Sequence, residues 1–250
     1  MKILRLIISP IWKLWLALWF VIPFLLLFPL FYVALKNKKF DFVFKLKRFW
    51  SRIICFGSFL YPLITYKIKK YRLPRPCVVV PNHTSYLDIV FSPFYVDHTA
   101  VFMGKYELLK IPLFKYFFVY FDIPVNRKSL KGSHKAFSDA SAKIDEGISV
   151  INYPEGTIGN KGKLRPFKNG PFRLAIEKQV PVVPVVNLNN WWYLENGGFF
   201  KSNGRPGMPK IIVGNPISTL GMTENNLEEL KEKVYTFMST ELNRFYGEHN

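Results

Sequence analysis

Cysteine is scarce in this sequence, with only Cys55 and Cys77 among 250 residues. Neither has histidine neighbours at metal-ligand spacing, so the pair predicts neither a disulfide framework nor a zinc site, and no metal site is expected. Both are interpreted as small core residues, which suits a protein that faces the cytoplasm. The sequence also lacks a Gly-x-Ser-x-Gly elbow. Its absence argues against a serine nucleophile of the hydrolase type.

Acidic residues are also few, because Asp and Glu together number 17 against 35 Lys and Arg, a formal charge of +18. Such an excess predicts an anionic partner, which is nucleic acid, a membrane surface or a phosphorylated substrate. The charge alone does not choose among these three.

The amino-terminal apolar run makes the choice. No charged residue occurs from 14 to 35, a length that suits a helix crossing the hydrocarbon core. Pro23 and Pro29 interrupt the run, so a kinked or re-entrant pair of helices inserted in one leaflet is an equal alternative to a straight span. Nucleic-acid binding would not explain this run, so membrane lipids are the expected partner and nucleic acid is not.

Basic residues lie on both sides of the apolar run and predominate after it. This bias predicts that the carboxy-terminal side, with the active site, is cytoplasmic. The residues concerned are Lys2, Arg5 and Lys13 before the run and Lys36, Lys38, Lys39, Lys45, Lys47 and Arg48 after it.

Beyond Pro74 the pattern changes to short β-branched runs that alternate with helical ones. This alternation predicts an α/β fold, a mostly parallel sheet flanked by helices, preceded by an N-terminal hydrophobic membrane-associated helical segment. The predicted division is an anchoring helical region, 1–72, which includes an amphipathic helix over 40–71, and an α/β domain, 73–250. Predicted strands are 77–80, 100–103, 123–125, 149–153, 182–186 and 210–213. Predicted helices are 85–94, 107–120, 132–146, 170–178 and 224–246.

His83 and Asp88 stand five residues apart, just after the first apolar strand. A histidine at the carboxyl end of a buried strand, oriented by a carboxylate, can act as a general base. The alternative is structural, because Ser85-x-x-Asp88 also fits the start of a helix, with Ser85 as cap. Local sequence leaves both open.

A second cluster follows the strand that begins at Ser149. It holds Glu155, Gly156 and Thr157, and then Arg165 and Lys168, whose cationic groups can meet a phosphate. The structural alternative is a basic loop with turn glycines. Between the two clusters a short strand ends in Arg127, a natural phosphate clamp unless it is merely solvated.

Taken in order, these elements resemble the glycerolipid acyltransferase family, whose best-known members are the 1-acylglycerol-3-phosphate acyltransferases. The first family block matches Asn82-His83-x-x-x-x-Asp88, and the third matches Pro154-Glu155-Gly156-Thr157. The second lies near 123–127 and the fourth around 182–184. The match covers roughly residues 74–186.

The resemblance implies that His83 is the base and Asp88 its orienter, and that Arg127, Glu155, Gly156 and Thr157 bind the glycerol phosphate of the acceptor. Members that form phosphatidic acid usually carry arginine directly after Glu-Gly-Thr, where this chain has Ile158. Either Arg165 or Lys168 then substitutes, or the acceptor differs.

The implied reaction is direct acyl transfer. His83 deprotonates the hydroxyl of a lyso-lipid, 1-acyl-sn-glycerol 3-phosphate, which attacks the thioester of acyl-CoA or acyl-carrier protein as co-substrate, with no cofactor. Backbone amides at the helix start after His83 are the expected oxyanion donors. The alternatives are another lysophospholipid, an amino-acid-containing lyso-lipid, a non-catalytic lipid-binding protein and a serine-type lipid hydrolase.

Overall fold

A computed structural model describes residues 2–68, 72–159 and 162–248. Its centre is a seven-stranded sheet in the order β1-β7-β6-β2-β5-β3-β4. All neighbouring strands are parallel except the antiparallel pair β6 and β7. The strands are β1 Leu63–Tyr66, β2 Val78–Pro81, β3 Ala100–Lys105, β4 Ile123–Val125, β5 Ser149–Ile151, β6 Val182–Asn187 and β7 Lys210–Val213. The mostly parallel α/β architecture predicted from the sequence is confirmed.

Helices lie on the faces of the sheet and supply the connections between its strands. They are α1 Lys2–Lys36, α2 Phe40–Gly57, α3 Leu87–Tyr95, α4 Lys115–Tyr120, α5 Leu130–Asp145, α6 Gly170–Glu177, α7 Asn190–Tyr193 and α8 Leu227–Gly247, with 3-10 turns at Tyr106–Lys110 and Glu224–Asn226. The central strands β2, β5 and β6 are buried along their whole lengths. Buried strands of this kind read as continuous apolar runs, which is why the sequence located them.

The amphipathic helix predicted over 40–71 is wrong in its second half. α2 ends at Gly57, and residues 63–66 form the edge strand β1, which pairs with β7. Alternating burial in Leu63–Tyr66 is the mark of a half-buried strand. Tyr71 lies outside the described residues, as do the side chains of Lys2 and Arg5.

The helix predicted over 107–120 is divided into the 3-10 turn Tyr106–Lys110 and α4. Pro112 explains the break, because proline pushes the residue before it out of the helical region. Ile111 is extended accordingly, with φ −80° and ψ 118°. The Gly- and Asn-rich sequence of 187–207 predicts a surface excursion. Most of this segment is exposed or partly exposed, but Asn189 and Asn190 are buried.

α1 is one continuous helix although Pro10, Pro23 and Pro29 lie within it, so the apolar run does not fold as a helix pair. One side of α1 packs against α2 and α4, where the ring centroids of Phe31 and Phe117 are 5.0 Å apart. Among the described residues, 8–36 is the one helix long and apolar enough to cross a membrane. The proposed division at residue 72 stays a prediction.

Candidate active site

His83 and Asp88 come together at the carboxyl end of β2. The strand ends at Pro81, and two residues later the His83 ring faces the first turn of α3. Its Nδ1 lies 2.9 Å from Oδ2 of Asp88. Ligand and catalytic groups collect at this edge of parallel α/β sheets, because successive strands all end there.

The Asp88 carboxylate also holds the start of α3. Oδ2 accepts hydrogen bonds from the backbone N–H groups of Thr84 at 2.6 Å and of Ser85 at 2.9 Å. The catalytic and helix-start interpretations of this motif are therefore compatible, since one carboxylate satisfies both. The same two hydrogen bonds correct the expectation that amides at this helix start bind the oxyanion. The N–H groups of Thr84 and Ser85 already donate to Asp88 and are not free oxyanion donors.

The His83 ring is held on its flat side as well as at its edge. It stacks on Tyr153, with the ring centroids 4.2 Å apart and 29° between the planes. Burial raises the pKa of Tyr153 well above its usual range, so this ring stays a neutral phenol. The His83 side chain keeps 12% of its surface exposed, and its Nε2 makes no hydrogen bond within the described residues. The free nitrogen is the one that a substrate hydroxyl would meet.

Glu155 fixes the backbone of His83. Its Oε1 accepts the His83 N–H at 2.8 Å and its Oε2 accepts the Arg165 N–H at 3.0 Å. Burial raises the pKa of Glu155, and these two backbone N–H groups oppose that rise. In the structure Oε1 of Glu155 holds the loop that carries His83, and Oε2 holds its own loop at Arg165. The acceptor-phosphate role that the resemblance implied for Glu155 stays a prediction.

Gly159 holds the His83 backbone from its other side, and together Glu155 and Gly159 form a clamp on that backbone. Its N–H donates to the His83 carbonyl oxygen at 2.6 Å. A Cβ at this position would lie 2.7 Å from Oε2 of Glu155, closer than real Cβ contacts come. A larger residue would displace the Glu155 carboxylate that holds the His83 backbone, so Gly159 serves the placement of His83.

Of the remaining predicted residues, Arg165 and Lys168 lie on this loop, whereas Arg127 follows the edge strand β4. Gly156 adopts φ +71°, and a Cβ there would meet the Lys168 side chain at 3.0 Å, which places the Lys168 chain over the Glu-Gly-Thr turn. Arg165 and Lys168 are exposed, and Thr157 is partly exposed beside them in sequence. Arg127 is exposed just beyond β4, with the Glu107 carboxylate as its electrostatic neighbour.

Sequence reasoning missed the asparagines that stand behind Asp88. Asn82, Asn187 and Asn190 are all at most 1% exposed. Asn187 ends β6, the strand beside β2, and Asn190 begins α7. The sequence did carry a signal for them. Asn187 and Asn190 lie at the carboxyl end of a buried strand, the position at which functional groups of parallel sheets collect and from which His83 was predicted.

A Ser-His-Asp arrangement at the other end of the sheet is structural. His98 lies with Nε2 2.6 Å from Oγ of Ser149 and Nδ1 2.9 Å from Oδ1 of Asp97. Ser149 is fully buried and its Oγ accepts the Cys77 N–H, so it cannot reach a substrate. Burial likewise raises the pKa of both Cys55 and Cys77 to about 12, which keeps them protonated thiols. A covalent acyl-enzyme has no nucleophile at these positions.

Comparison with known proteins gives relatives of one kind. A family model described as Acyltransferase matches residues 64–187. The chain is 30% identical over 197 residues to the 1-acyl-sn-glycerol-3-phosphate acyltransferase of Haemophilus influenzae, covering 72% of this chain and 75% of that protein. It is 34% identical over 171 residues to human 1-acyl-sn-glycerol-3-phosphate acyltransferase beta, covering 66% of this chain and 59% of that one.

The fold also has a solved counterpart. The crystal structure of the 1-acyl-sn-glycerophosphate acyltransferase PlsC from Thermotoga maritima superposes with a TM-score of 0.75 at 22% identity, covering 93% of this chain and 95% of that chain. This likeness shows the fold, including the helical segment before the sheet.

Proposed function

The chain belongs to the acyltransferase family, and from that premise we propose that it transfers a fatty acyl group to the free hydroxyl of 1-acyl-sn-glycerol 3-phosphate, forming phosphatidic acid in phospholipid biosynthesis. Relatives that carry this activity in their names support the proposal. The observation on which it rests is the His83 ring, bonded to buried Asp88 through Nδ1 and open at Nε2. An imidazole so oriented can accept a hydroxyl proton near neutral pH.

In the proposed reaction Nε2 of His83 takes the proton from the acceptor hydroxyl. The oxygen of that hydroxyl attacks the thioester carbonyl of the acyl donor. The new C–O ester bond forms and the C–S bond breaks, and the departing thiolate takes the proton back from the imidazolium. Asp88 holds the ring and stabilises its charged form, as the aspartate does in serine-hydrolase triads. Acyl-CoA and acyl-carrier protein both supply such a thioester, and both are anionic.

The acceptor phosphate is proposed to bind over the Glu-Gly-Thr turn. The Lys168 side chain lies against Gly156, and Arg165 is on the same loop, after the Glu-Gly-Thr turn. This loop therefore carries cations although the residue directly after the motif, Ile158, is uncharged. Charge-assisted hydrogen bonds to phosphate are among the stronger polar contacts in proteins. Arg165 and Lys168 are therefore proposed to replace the arginine usual after this motif, with Arg127 as a further phosphate contact.

An acceptor panel tests the activity. With one labelled acyl donor, the purified protein is expected to use lysophosphatidate with a kcat/KM about tenfold or more above that for lysophosphatidylcholine and amino-acid lyso-lipids, because its cations favour an exposed phosphate monoester. Turnover is measured as labelled product on thin-layer chromatography. A clear preference for another lyso-lipid would reject lysophosphatidate as the acceptor, and turnover of none would reject acyl transfer.

Ile158→Arg is the matched gain-of-contact control for this panel. The added guanidinium is expected to lower KM for lysophosphatidate with kcat nearly unchanged, since it strengthens binding in ground state and transition state alike. The KM for lysophosphatidylcholine should barely move. Equal gains for every acceptor would show that position 158 does not face the phosphate.

We also propose that α1 docks the enzyme in the membrane lengthwise. Its exposed apolar side chains recur every three or four residues and define the apolar face of α1: Ile8, Ile11, Leu14, Trp15, Leu18, Val21, Ile22, Leu25, Leu26, Leu30 and Val33. Its opposite side is covered by protein from Trp12 to Leu35. A helix lined by protein on one side and apolar on the other suits insertion along one leaflet rather than across the bilayer.

The one charged residue in the apolar stretch 6–35 of this helix does not face the lipid side. Lys13 is the only charged residue from 6 to 35. It is buried, and its Nζ donates to the Phe199 carbonyl at 2.9 Å and to the Ser202 hydroxyl at 2.8 Å. The same loop exposes Phe199 and Phe200 beside α1. These rings would extend the apolar face, and Lys36 and Lys38 at the far end would meet anionic headgroups of the cytoplasmic leaflet.

Polar substitution on the apolar face is expected to release the protein from vesicles. Changing Ile22, Leu26 and Val33 to serine should weaken sedimentation with vesicles of equal parts phosphatidylcholine and phosphatidylglycerol by roughly 100-fold, because three apolar side chains lose their burial in lipid. The control is Leu130→Ser with Leu220→Ser, two leucines at least as exposed but elsewhere. Equal loss in both variants would place the docking surface outside α1.

A further inference from the structure

The asparagines behind the active site form a continuous buried chain that ends on Asp88. Asn187 donates from its backbone N–H to Oδ1 of Asn82 at 2.6 Å, and from Nδ2 to the Asn82 carbonyl at 2.8 Å. Its Oδ1 accepts Nδ2 of Asn190 at 3.1 Å. Nδ2 of Asn190 also donates to Oδ1 of Asp88 at 2.7 Å. Two strand ends and the start of α7 are thereby tied to the carboxylate.

The two oxygens of Asp88 have separate tasks. Oδ2 takes His83 and the start of α3, while Oδ1 has Asn190 as its partner among the described residues. Asp88 is completely buried, so no water replaces that donor. An ionised carboxylate in such a place depends on its hydrogen bonds to stay charged and to stay in orientation.

The orientation of the Asn190 amide is imposed by its neighbours. If the amide were flipped, its oxygen would face both Oδ1 of Asn187 and Oδ1 of Asp88, which are acceptors. In the observed orientation the Oδ1 of Asn190 is buried with no hydrogen-bond partner among the described residues. An orphaned acceptor of this kind costs stability, so the residue is not explained by stability alone.

We propose that Asn190 is a positioning residue for acyl transfer, which fixes the ionised Asp88 carboxylate and through it the Nδ1–H tautomer of His83. The inference rests on the proposed function and extends it, because it adds Asn190 to the pair formed by His83 and Asp88. Asn190 touches neither substrate nor the reacting atoms. Its influence therefore passes entirely through Asp88.

The first test is Asn190→Leu, which has nearly the shape of asparagine and carries no hydrogen-bond donor, with Asn190→Ala as a second variant in case the first folds poorly. Either change is expected to lower kcat about 10- to 100-fold, which corresponds to the loss of one hydrogen bond to a charged group. The KM values should stay within about threefold of wild type. Asn189→Ala is the matched control, because Asn189 is a buried neighbour whose Oδ1 accepts the Lys210 N–H at 2.8 Å and does not touch Asp88. It should lose thermal stability and keep kcat.

A double-mutant cycle separates positioning from mere structure. In an Asp88→Asn background, Asn190→Ala is expected to lower kcat by less than about threefold further, since its route to the histidine is already cut. An equal fall in both backgrounds, or an equal fall for Asn189→Ala, would overturn the proposal.

A spectroscopic readout keeps the proposal testable apart from the reaction. The chain has 4 histidines, so ¹⁵N-histidine spectra can be assigned by substitution. Wild-type His83 is expected to show the Nδ1–H tautomer alone, and the Asn190→Leu protein is expected to show a mixture of the two tautomers. An unchanged tautomer in the variant would overturn the inference. Wild-type protein that fails every acceptor would reject the proposed function and leave this spectral test intact.

Discussion

His83→Ala is expected to lower kcat for acyl transfer by about 100- to 10,000-fold, the range that general-base catalysis supplies. Among the described residues, His83 is the one histidine at the end of β2, and no other side chain there is placed to take the hydroxyl proton. The KM for lysophosphatidate should change little, because the proposed phosphate contacts come from the loop that begins at Glu155. Turnover with labelled donor and saturating acceptor is the measurement.

Two controls make this result specific. His134→Ala removes an exposed histidine on α5 and should leave kcat unchanged. Sedimentation of the His83→Ala protein with vesicles should match wild type, since α1 is untouched. Undiminished turnover by purified His83→Ala protein would remove the proposed base and with it the mechanism.

Lys47→Ala is expected to lower the free energy of unfolding by about 3–5 kcal/mol, the usual cost of leaving one partner of a buried ion pair alone. Nζ of Lys47 lies 2.6 Å from Oδ2 of Asp122, and both side chains are nearly covered, at 11% and 5% exposure. The ammonium also lies 4.5 Å from the centroid of the Phe121 ring. Burial raises the pKa of Asp122, and the Lys47 charge opposes that rise. Alanine would leave the carboxylate without its cation.

Urea unfolding of the detergent-solubilised protein, followed by tryptophan fluorescence, checks this value. Lys135→Ala is the matched control, because its pair with Asp139 is exposed, at 74% and 39%, and exposed pairs contribute at most about 1 kcal/mol. A loss below about 1 kcal/mol for Lys47→Ala would show that the pair does not fasten α2 to the sheet.

The sequence predicted those parts of the fold in which local pattern and burial agree. Continuous β-branched runs located β2 and β6, and the periodic pattern located the last helix, before which the structure has a capping box from Thr223 to Asn226. β1 was missed because its four residues become a strand only by pairing with β7, which lies far along the chain. Such pairing leaves no local signal beyond a short alternation.

In the candidate site, too, contacts between residues close in sequence could be predicted and contacts between distant residues could not. His83 and Asp88 are five residues apart, so their contact was visible in the motif. Glu155 reaches the His83 backbone from 72 residues away and Asn190 reaches Asp88 from 102 residues away. These contacts depend on which strands are neighbours in the sheet, which local spacing does not state. The roles assigned to the site residues all stay predictions: His83, Asp88, Arg127, Glu155, Gly156, Thr157, Arg165 and Lys168.

The clamp on the His83 backbone sets a boundary for redesign of acceptor specificity. Glu155 and Gly159 hold the base in place from the same loop that carries the proposed phosphate contacts. Exchanges at Ile158 or Lys168 are expected to alter which acceptor the enzyme binds. Exchanges at Glu155 or Gly159 displace the reactive nitrogen itself. A library aimed at new lyso-lipids should therefore vary the former positions and hold the latter constant.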